Sequence, residues 1–418
     1  MRKDWELKKL SEVLVRTEMV DPTKNPNAEF TYLDVSSVNK ETKQIENATL
    51  LLGKDAPSRA RKLVRTNDVI FATVRPTHSR VALITDEYNE QVCSTGYFVL
   101  RGNDFIYNQY LFYFLLTDEF NVQMEKLQKG ASYPAVTDAE VKSIFLRFPK
   151  SLPEQKRIVT ILDEAFAAIG KAKENAEKNL QNARELFESY LQRVFDEKRE
   201  GWEEKTLEEI IESNVIGLIK NSREQKADYK YKYVKMNNIT RDNRFDLSKY
   251  VCVNATKDEV SKYSLSNGDF LFNTRNSYEL VGKTCLFEGY EDEIILYNNN
   301  IMRVRFIKTI NPYFINYSFT TKSIIEKLKN FKSGTTNVSA IYYKDLKNLS
   351  LIIPPLKEQQ TIVTKLNALS AETKKLEAIY EQKVNDLEEL KKSILQKAFN
   401  GELSELGFVR LEDDRILK

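Results

Sequence analysis

One long segment occurs twice in this chain. Residues 154–195 open "EQKRIVTILDEAFAAI" and close "LFESYLQRVF", and residues 358–399 open "EQQTIVTKLNALSAET" and close "LKKSILQKAF". A fixed offset of 204 maps one onto the other without a gap, so that Glu154 falls on Glu358, Ile158 on Ile362, Ser189 on Ser393 and Phe195 on Phe399. A register held through about eleven helical turns marks a helix whose length itself matters, as in a strut or a ruler.

Each copy follows a unit of about 150 residues, and these units also correspond, more loosely. "DWELKKLSEVL" at 4–14 answers "GWEEKTLEEII" at 201–211, and "YLDVSSV" at 32–38 answers "YVKMNNI" at 233–239. "NDVIFAT" at 67–73 answers "GDFLFNT" at 268–274, and Gly130 answers Gly334. The offset drifts from 197 through 201 to 204, so the insertions fall inside the globular units and none in the helices. That pattern describes one scaffold carrying two different recognition surfaces; a plain duplication with equivalent halves is the alternative.

The apolar positions of the first copy run Ile158, Leu162, Ala165, Ile169, Ala172, Ala176, Leu180, Ala183, Phe187, Tyr190 and Val194, in steps of three and four. The second copy gives Ile362, Leu366, Leu369, Leu376, Tyr380, Val384, Leu387, Ile394 and Ala398, interrupted by Thr373 and Lys391. This is coiled-coil seam spacing. At 1.5 Å per residue each helix spans roughly 60 Å. The expectation is an α+β protein in which two mixed α/β domains sit on an antiparallel two-helix frame, related by an internal pseudo-two-fold repeat. The expected boundaries are domains at 1–149 and 200–352, helices at 150–199 and 353–401, and a tail at 402–418.

Within each domain, strands are expected at Tyr32–Val38, Val69–Val74 and Tyr97–Arg101 with their counterparts. Single helices are expected over Asn108–Lys126 and Pro312–Lys329. Polar, basic loops follow two of the strands. In the first domain they offer Arg75, Thr77, His78 and Arg80, then Lys129, Ser132 and Tyr133. In the second they offer Arg275, Asn276, Ser277 and Tyr278, then Lys332, Thr335, Thr336 and Asn337. Such side chains contact phosphates and base edges, although polar loops alone do not single out DNA. The repeated glutamines Gln155, Gln192, Gln359 and Gln396 are candidates for partner contacts outside the apolar seams.

The 418 residues suffice for two or three domains with real cores. The longest apolar run, "YLFYFLL" at 110–116, is far too short to span a bilayer, and the opening "MRKDWELKK" lacks the apolar stretch expected of a secretory signal. Cys93, Cys252 and Cys285 have no metal or disulfide spacing. The expected location is cytoplasmic. A net charge of only +3 argues against a surface coated in basic patches, but leaves room for a local DNA footprint. Catalytic signatures are missing. His78 is the single histidine. Gly282-Lys283-Thr284 lacks the leading glycine of a phosphate loop, Ser277 standing there, and reads as a turn between strands. "IIPPL" at 352–356 is not the Asn/Asp-Pro-Pro-aromatic motif of amino-methyltransferases.

The order of variable unit, "PxxEQxxIVxxL…SxLQ(R/K)xF" helix, variable unit and helix again resembles the specificity subunit of type I restriction-modification systems. The resemblance covers nearly the whole chain, and the helix motifs and "GDFLFNTR" carry most of it. It implies that each globular unit is a target recognition domain reading one half of a split double-stranded DNA sequence, with the helices setting the gap. It further implies two modification subunits that hold S-adenosylmethionine and methylate adenine at N6. Restriction and translocase subunits using ATP and Mg would join them. This chain would then be a non-catalytic reader with no cofactor of its own. The first unit departs by having Asn67-Asp68 where the family has Gly-Asp. The runner-up is a coiled-coil adaptor with two protein-binding domains; a stand-alone nuclease or methyltransferase would need motifs that are missing.

Overall fold

In the computed structural model residues 4–197, 200–289 and 293–403 are described. Packing divides the chain into Met1–Glu177 with Glu381–Lys418, and Lys178–Tyr380. Each unit therefore combines one globular domain with half of each long helix, where the sequence suggested separate domains and helices.

In the first unit the two ends of the globular domain are tied together. Trp5–Lys9 pairs antiparallel with Phe145–Pro149, Trp5 opposite Pro149. Beyond this tie lie a three-stranded antiparallel sheet of Val81–Leu83, Val69–Ala72 and Tyr97–Leu100, and a four-stranded sheet of Thr49–Leu52, Glu29–Leu33, Val92–Ser94 and Ala60–Leu63. Val69–Ala72 is buried on both faces. Val69 and Phe71 join the core shared with the helices, and Ile70 and Ala72 join a second core under the other sheet. Burial on both faces is why this strand is a continuous apolar run and does not alternate.

The second unit repeats the plan. Glu203–Thr206 pairs with Ser350–Ile353, and Phe270–Asn273 lies central in the sheet of Ile211–Ile216, Ile301–Phe306, Phe270–Asn273 and Thr284–Leu286. Tyr231–Val234 pairs parallel with Ile295–Tyr297, as Glu29–Leu33 does with Val92–Ser94.

Two kinds of expected element differ, in both domains. The strand from Tyr32 stops at Leu33, and Val35–Ser37 forms a 3₁₀ turn; Tyr231–Val234 likewise gives way to a turn at Met236–Asn238. Each expected single helix is two. Asn108–Phe114 and Asp118–Leu127 are separated at Thr117, and Pro312–Ser318 and Lys322–Lys329 at Thr321. Both threonines have extended backbones, and their hydroxyls accept the N–H groups of Phe120 and Ile324, capping the second helix of each pair. In the first unit the break also seats Phe120 edge-on to Phe71, 5.2 Å between ring centres.

The long helices run Leu152–Asp196 and Leu356–Asn400, 45 residues each. In the first unit Ile158, Val159 and Leu162 share a core with Leu395, Ala398 and Phe399, and Lys173 pairs with Glu388. In the second, Leu191 and Val194 share a core with Ile362, Val363 and Leu366, and Arg184 pairs with Glu377 at 3.2 Å. The helix halves are antiparallel in each unit, as the duplication suggested. Thr373, an interruption of the second seam, is buried, and its hydroxyl donates to the Leu369 carbonyl at 3.0 Å. Lys391 is exposed and lays its ammonium over the Phe166 ring at 4.8 Å. Leu376, placed in the seam by its spacing, is exposed. Of the tail expected at 402–418, residues 404–418 lie outside the described residues.

Candidate nucleic-acid interface

The candidate loops of each domain, more than 50 residues apart in sequence, meet around a single alanine. In the first domain Val74 and Lys129 both bridge Ala135. The Arg75 N–H donates to the Pro134 carbonyl at 2.7 Å, and the Val136 N–H to that of Thr73 at 2.9 Å. In the second, Arg275 and Ser333 both pair with Ala340, and the Tyr278 N–H donates to the Thr336 carbonyl at 3.0 Å. The duplication thus reaches the loop tips. Gly130 and Gly334 have φ of 101° and 123°, where a Cβ would stand 2.9 Å from the Tyr133 carbonyl oxygen and 2.3 Å from that of Val338. These two positions require glycine.

Arg75, Thr77, His78, Lys129, Ser132 and Tyr133 are exposed on the first tip. Arg75 and Ser79, at φ of 49° and 48°, bracket a 3₁₀ turn at Pro76–His78. The Arg75 guanidinium lies 5.4 Å from the Tyr133 ring centre. Lys129 pairs with Glu140 at 2.8 Å, which draws that carboxyl down to about 2. On the second tip Arg275, Tyr278, Thr335, Thr336 and Asn337 are exposed, and Ser277 and Lys332 are half-buried. Lys332 donates to the Tyr278 carbonyl at 2.6 Å and covers its ring at 4.6 Å. Each tip therefore presents one tyrosine held by one cation, with the two loops exchanging roles.

Other candidates serve the fold instead. Arg80 is half-buried, and its guanidinium donates to the carbonyls of Val35, at 3.5 Å, and Val38. Lys283 does the same work in the second domain, donating to Met236 O at 3.2 Å and to Ile239 O, with burial lowering its pKa. The Gly-Lys-Thr segment is thus a turn between strands whose lysine is a clamp, a role its sequence did not announce. Asn276 is engaged locally: its Nδ2 donates to Asn273 Oδ1, and its Oδ1 accepts the Ser277 N–H, both at 2.9 Å.

Gln155 and Gln359 are fully buried. Gln155 accepts the Tyr107 N–H at 2.8 Å and donates to the Phe105 and Pro149 carbonyls; Gln359 accepts that of Asn311 at 2.7 Å and donates to Thr309 and Pro354. They lock each helix start to its own domain and, being fully buried, expose no surface to a partner. Gln192 is half-buried and accepts the Lys322 N–H at 3.2 Å, whereas Gln396 is exposed.

Two buried carboxylates explain the repeated Asn-Asp and Gly-Asp signals. Asp68 is gripped by Arg101 through two bonds of 2.7 Å, and Asp269 by Arg305 at 2.6 and 3.1 Å. Each also accepts a backbone N–H three residues earlier, from Arg65 and Ser266. These pairs are committed structurally. Cys93 and Cys285 are buried, which raises both thiols, Cys93 to about 12. Among the described residues no group of His, Cys, Asp and Glu could hold a metal, and no helix is long and apolar enough to cross a membrane.

The arrangement is a duplicated scaffold whose two loop tips share a backbone plan and differ in side chains. Residues 2–178 and 199–386 match the type I restriction modification DNA specificity domain family, and the chain belongs to it. The EcoKI specificity subunit of Escherichia coli strain K12 is 24% identical over 355 residues, covering 82% of this chain and 76% of that protein. The HsdS subunit from Thermoanaerobacter tengcongensis is 27% identical, with a TM-score of 0.67 over 96% of this chain and 98% of that one. A chain solved in work on complex assembly and conformational transition of the type I R-M system is also 27% identical, with a TM-score of 0.81 over 96% and 99%. The protein is a DNA specificity subunit of the type I restriction-modification class, a recognition component and not a catalytic one.

Proposed function

We propose that the two tips read the two halves of a bipartite double-stranded DNA target. Arg75, Thr77, His78, Lys129, Ser132 and Tyr133 serve one half, and Arg275, Ser277, Tyr278, Lys332, Thr335, Thr336 and Asn337 the other. One observation carries this reading: in each domain two distant loops are joined in the same register at Ala135 or Ala340, while the exposed side chains differ. A shared backbone with unlike side chains suits two independent sequence readers. The paired helices set the distance between half-sites. Two modification subunits, holding S-adenosylmethionine, bind the helical frame and methylate adenine at N6. Restriction and translocase subunits with ATP and Mg complete the nuclease. This chain holds none of those cofactors and acts in the cytoplasm.

Arginine and lysine pair with guanine, asparagine and glutamine with adenine, and serine or threonine with several bases. Replacing Arg75 by Ala should weaken binding to the cognate site by about 1–3 kcal/mol for each base the side chain no longer reaches, and replacing Arg275 should do so through the other half-site. Binding should fall steeply with salt, because phosphate contacts release counterions. Undiminished cognate binding and methylation in both variants would move the reading surface elsewhere, and salt-insensitive association with a protein would favour an adaptor.

A further inference from the structure

The repeated segments "YLDVSSV" and "YVKMNNI" end in the two 3₁₀ turns, and these turns touch Tyr97 and Asn300, where the strands paired with the tip-feeding strands begin. In the first domain the Tyr97 hydroxyl donates to the carbonyls of Asp34 and Val35 at 3.0 and 3.1 Å. Gly96, whose added Cβ would meet the Val35 side chain at 2.6 Å, accepts the Thr73 N–H at 2.8 Å. In the second domain the Asn300 amide donates to the Met236 sulfur at 3.2 Å, and the Asn300 carbonyl accepts the Thr274 N–H at 2.9 Å. Thr73 and Thr274 stand just before the tip segments that carry Arg75 and Arg275. Turn and tip are therefore linked by hydrogen bonds, through Gly96 and Tyr97 in one domain and through Asn300 in the other.

The clamp cations Arg80 and Lys283 hold these same turns through their carbonyls. The last residue of each turn is a buried anchor. Ser37 donates to the Asn47 carbonyl at 2.9 Å, and Asn238 to those of Asp246 and Lys249 at 2.7 and 2.6 Å. The residue before each anchor, Ser36 or Asn237, is exposed. A half-buried cation, a buried anchor and a contact from a neighbouring strand end thus hold two short turns, and the one side chain each turn exposes differs between the domains. Beside Ser36 lies a recess of about 550 Å³ whose lining includes Asp34, Asn47, Thr49 and Arg59, groups that donate and accept hydrogen bonds.

We propose that Ser36 and Asn237 are specificity-determining residues, each facing a base edge of its domain's half-site beside the loop tip. This rests on the reading of the tips as DNA-binding. Asparagine bonds adenine through N6 and N7, whereas serine bonds several bases. The second half-site should therefore contain an A·T pair opposite Asn237, and the first should be less selective opposite Ser36.

The test uses the full chain assembled with its modification subunits and maps methylated sites across a genome. Asn237→Ala should relax one position of the second half-site, cutting preference for its cognate base roughly 10- to 100-fold. It should leave the first half-site and the unfolding temperature unchanged. Ser36→Ala should act, more weakly, on the first half-site alone. A uniform loss of methylation at every site, or a lowered unfolding temperature, would assign these residues to structure and overturn the proposal. So would an unchanged motif in both variants while Arg75→Ala and Arg275→Ala alter theirs. If the arginine variants also leave the motif intact, the tip reading fails, and this inference with it.

Discussion

Asn67 stands where the second domain has Gly268, and both backbones turn left-handed, at φ of 70° and 86°. Asparagine tolerates that region better than other residues with a side chain, so the departure from the family's Gly-Asp keeps the turn that delivers Asp68 to Arg101. Gln155 and Gln359 offer a sharper test of side-chain role. Changing either to Ala should destabilise its unit by on the order of 1–3 kcal/mol for each buried group left without a partner, read as a lower denaturation midpoint. Protein that still folds should bind as many modification subunits as before; a clean loss of one subunit with unchanged stability would restore them as partner contacts. Lys43 makes a pH prediction. Its ammonium donates to the Ser79 carbonyl at 2.7 Å, behind the first tip. Burial, with Lys391 adding repulsion, lowers its pKa from the ordinary 10.5 to about 8. Between those values the unfolded chain keeps a proton that the folded chain has released, so stability rises with pH across that window. The stability of the natural protein relative to Lys43→Met should be level below pH 8 and climb above it. Denaturation midpoints at pH 7, 9 and 10 check this, and a level or falling difference would refute it.

At the scale of elements the two 45-residue helices carry the spacing proposal. Inserting four residues within Lys171–Asn182 and four at the matching place in Lys375–Asp386 should lengthen the frame by roughly 6 Å. With 3.4 Å per base step, that is about two base pairs more between half-sites. Four residues are close to one helical turn, so the apolar seam nearly keeps its register, with about 40° of residual rotation. Methylome mapping should show the same two half-sites farther apart. An unchanged gap in a folded, active assembly would mean that the helices do not set it. The seams were legible as periodicity, but Thr373 and Leu376 show where spacing misleads. A buried hydroxyl fits when it can bond a carbonyl of its own helix, and an apolar side chain at the right interval still faces water when no partner covers it.

At the scale of the whole molecule, the two domains share a plan and keep separate tips. Replacing residues 1–149 by the corresponding unit of another specificity subunit should change one half of the methylated motif and preserve the other. If both halves change together, independent readout is wrong. The replaced piece must meet the first unit's core, which includes Ile158 and Leu162 from one helix and Leu395 and Phe399 from the other. A relative whose helices keep those side chains is therefore the suitable donor.

The gapless offset of 204 and the three-and-four spacing made the duplication and the paired helices legible, and short apolar runs between polar turns did the same for the two mixed domains. Such patterns are legible because a helix seam repeats along one dimension of the chain. The equivalence of the turns at Gly130 and Gly334 was legible as well, though not which loops meet there. The division of labour inside the loops was not. Arg75 and Arg80 are five residues apart in one basic stretch; one is exposed over Tyr133, and the other is turned inward onto two carbonyls. Composition cannot separate them, because both suit a phosphate equally well. The choice is made by carbonyls some 45 residues earlier in the chain, at Val35 and Val38, whose need for a donor appears only when the sheets are assembled. For the same reason Gln155 and Gln359 read as surface glutamines and proved to be internal locks: two of the three groups each satisfies come from chain about 50 residues away, and only tertiary structure brings them together.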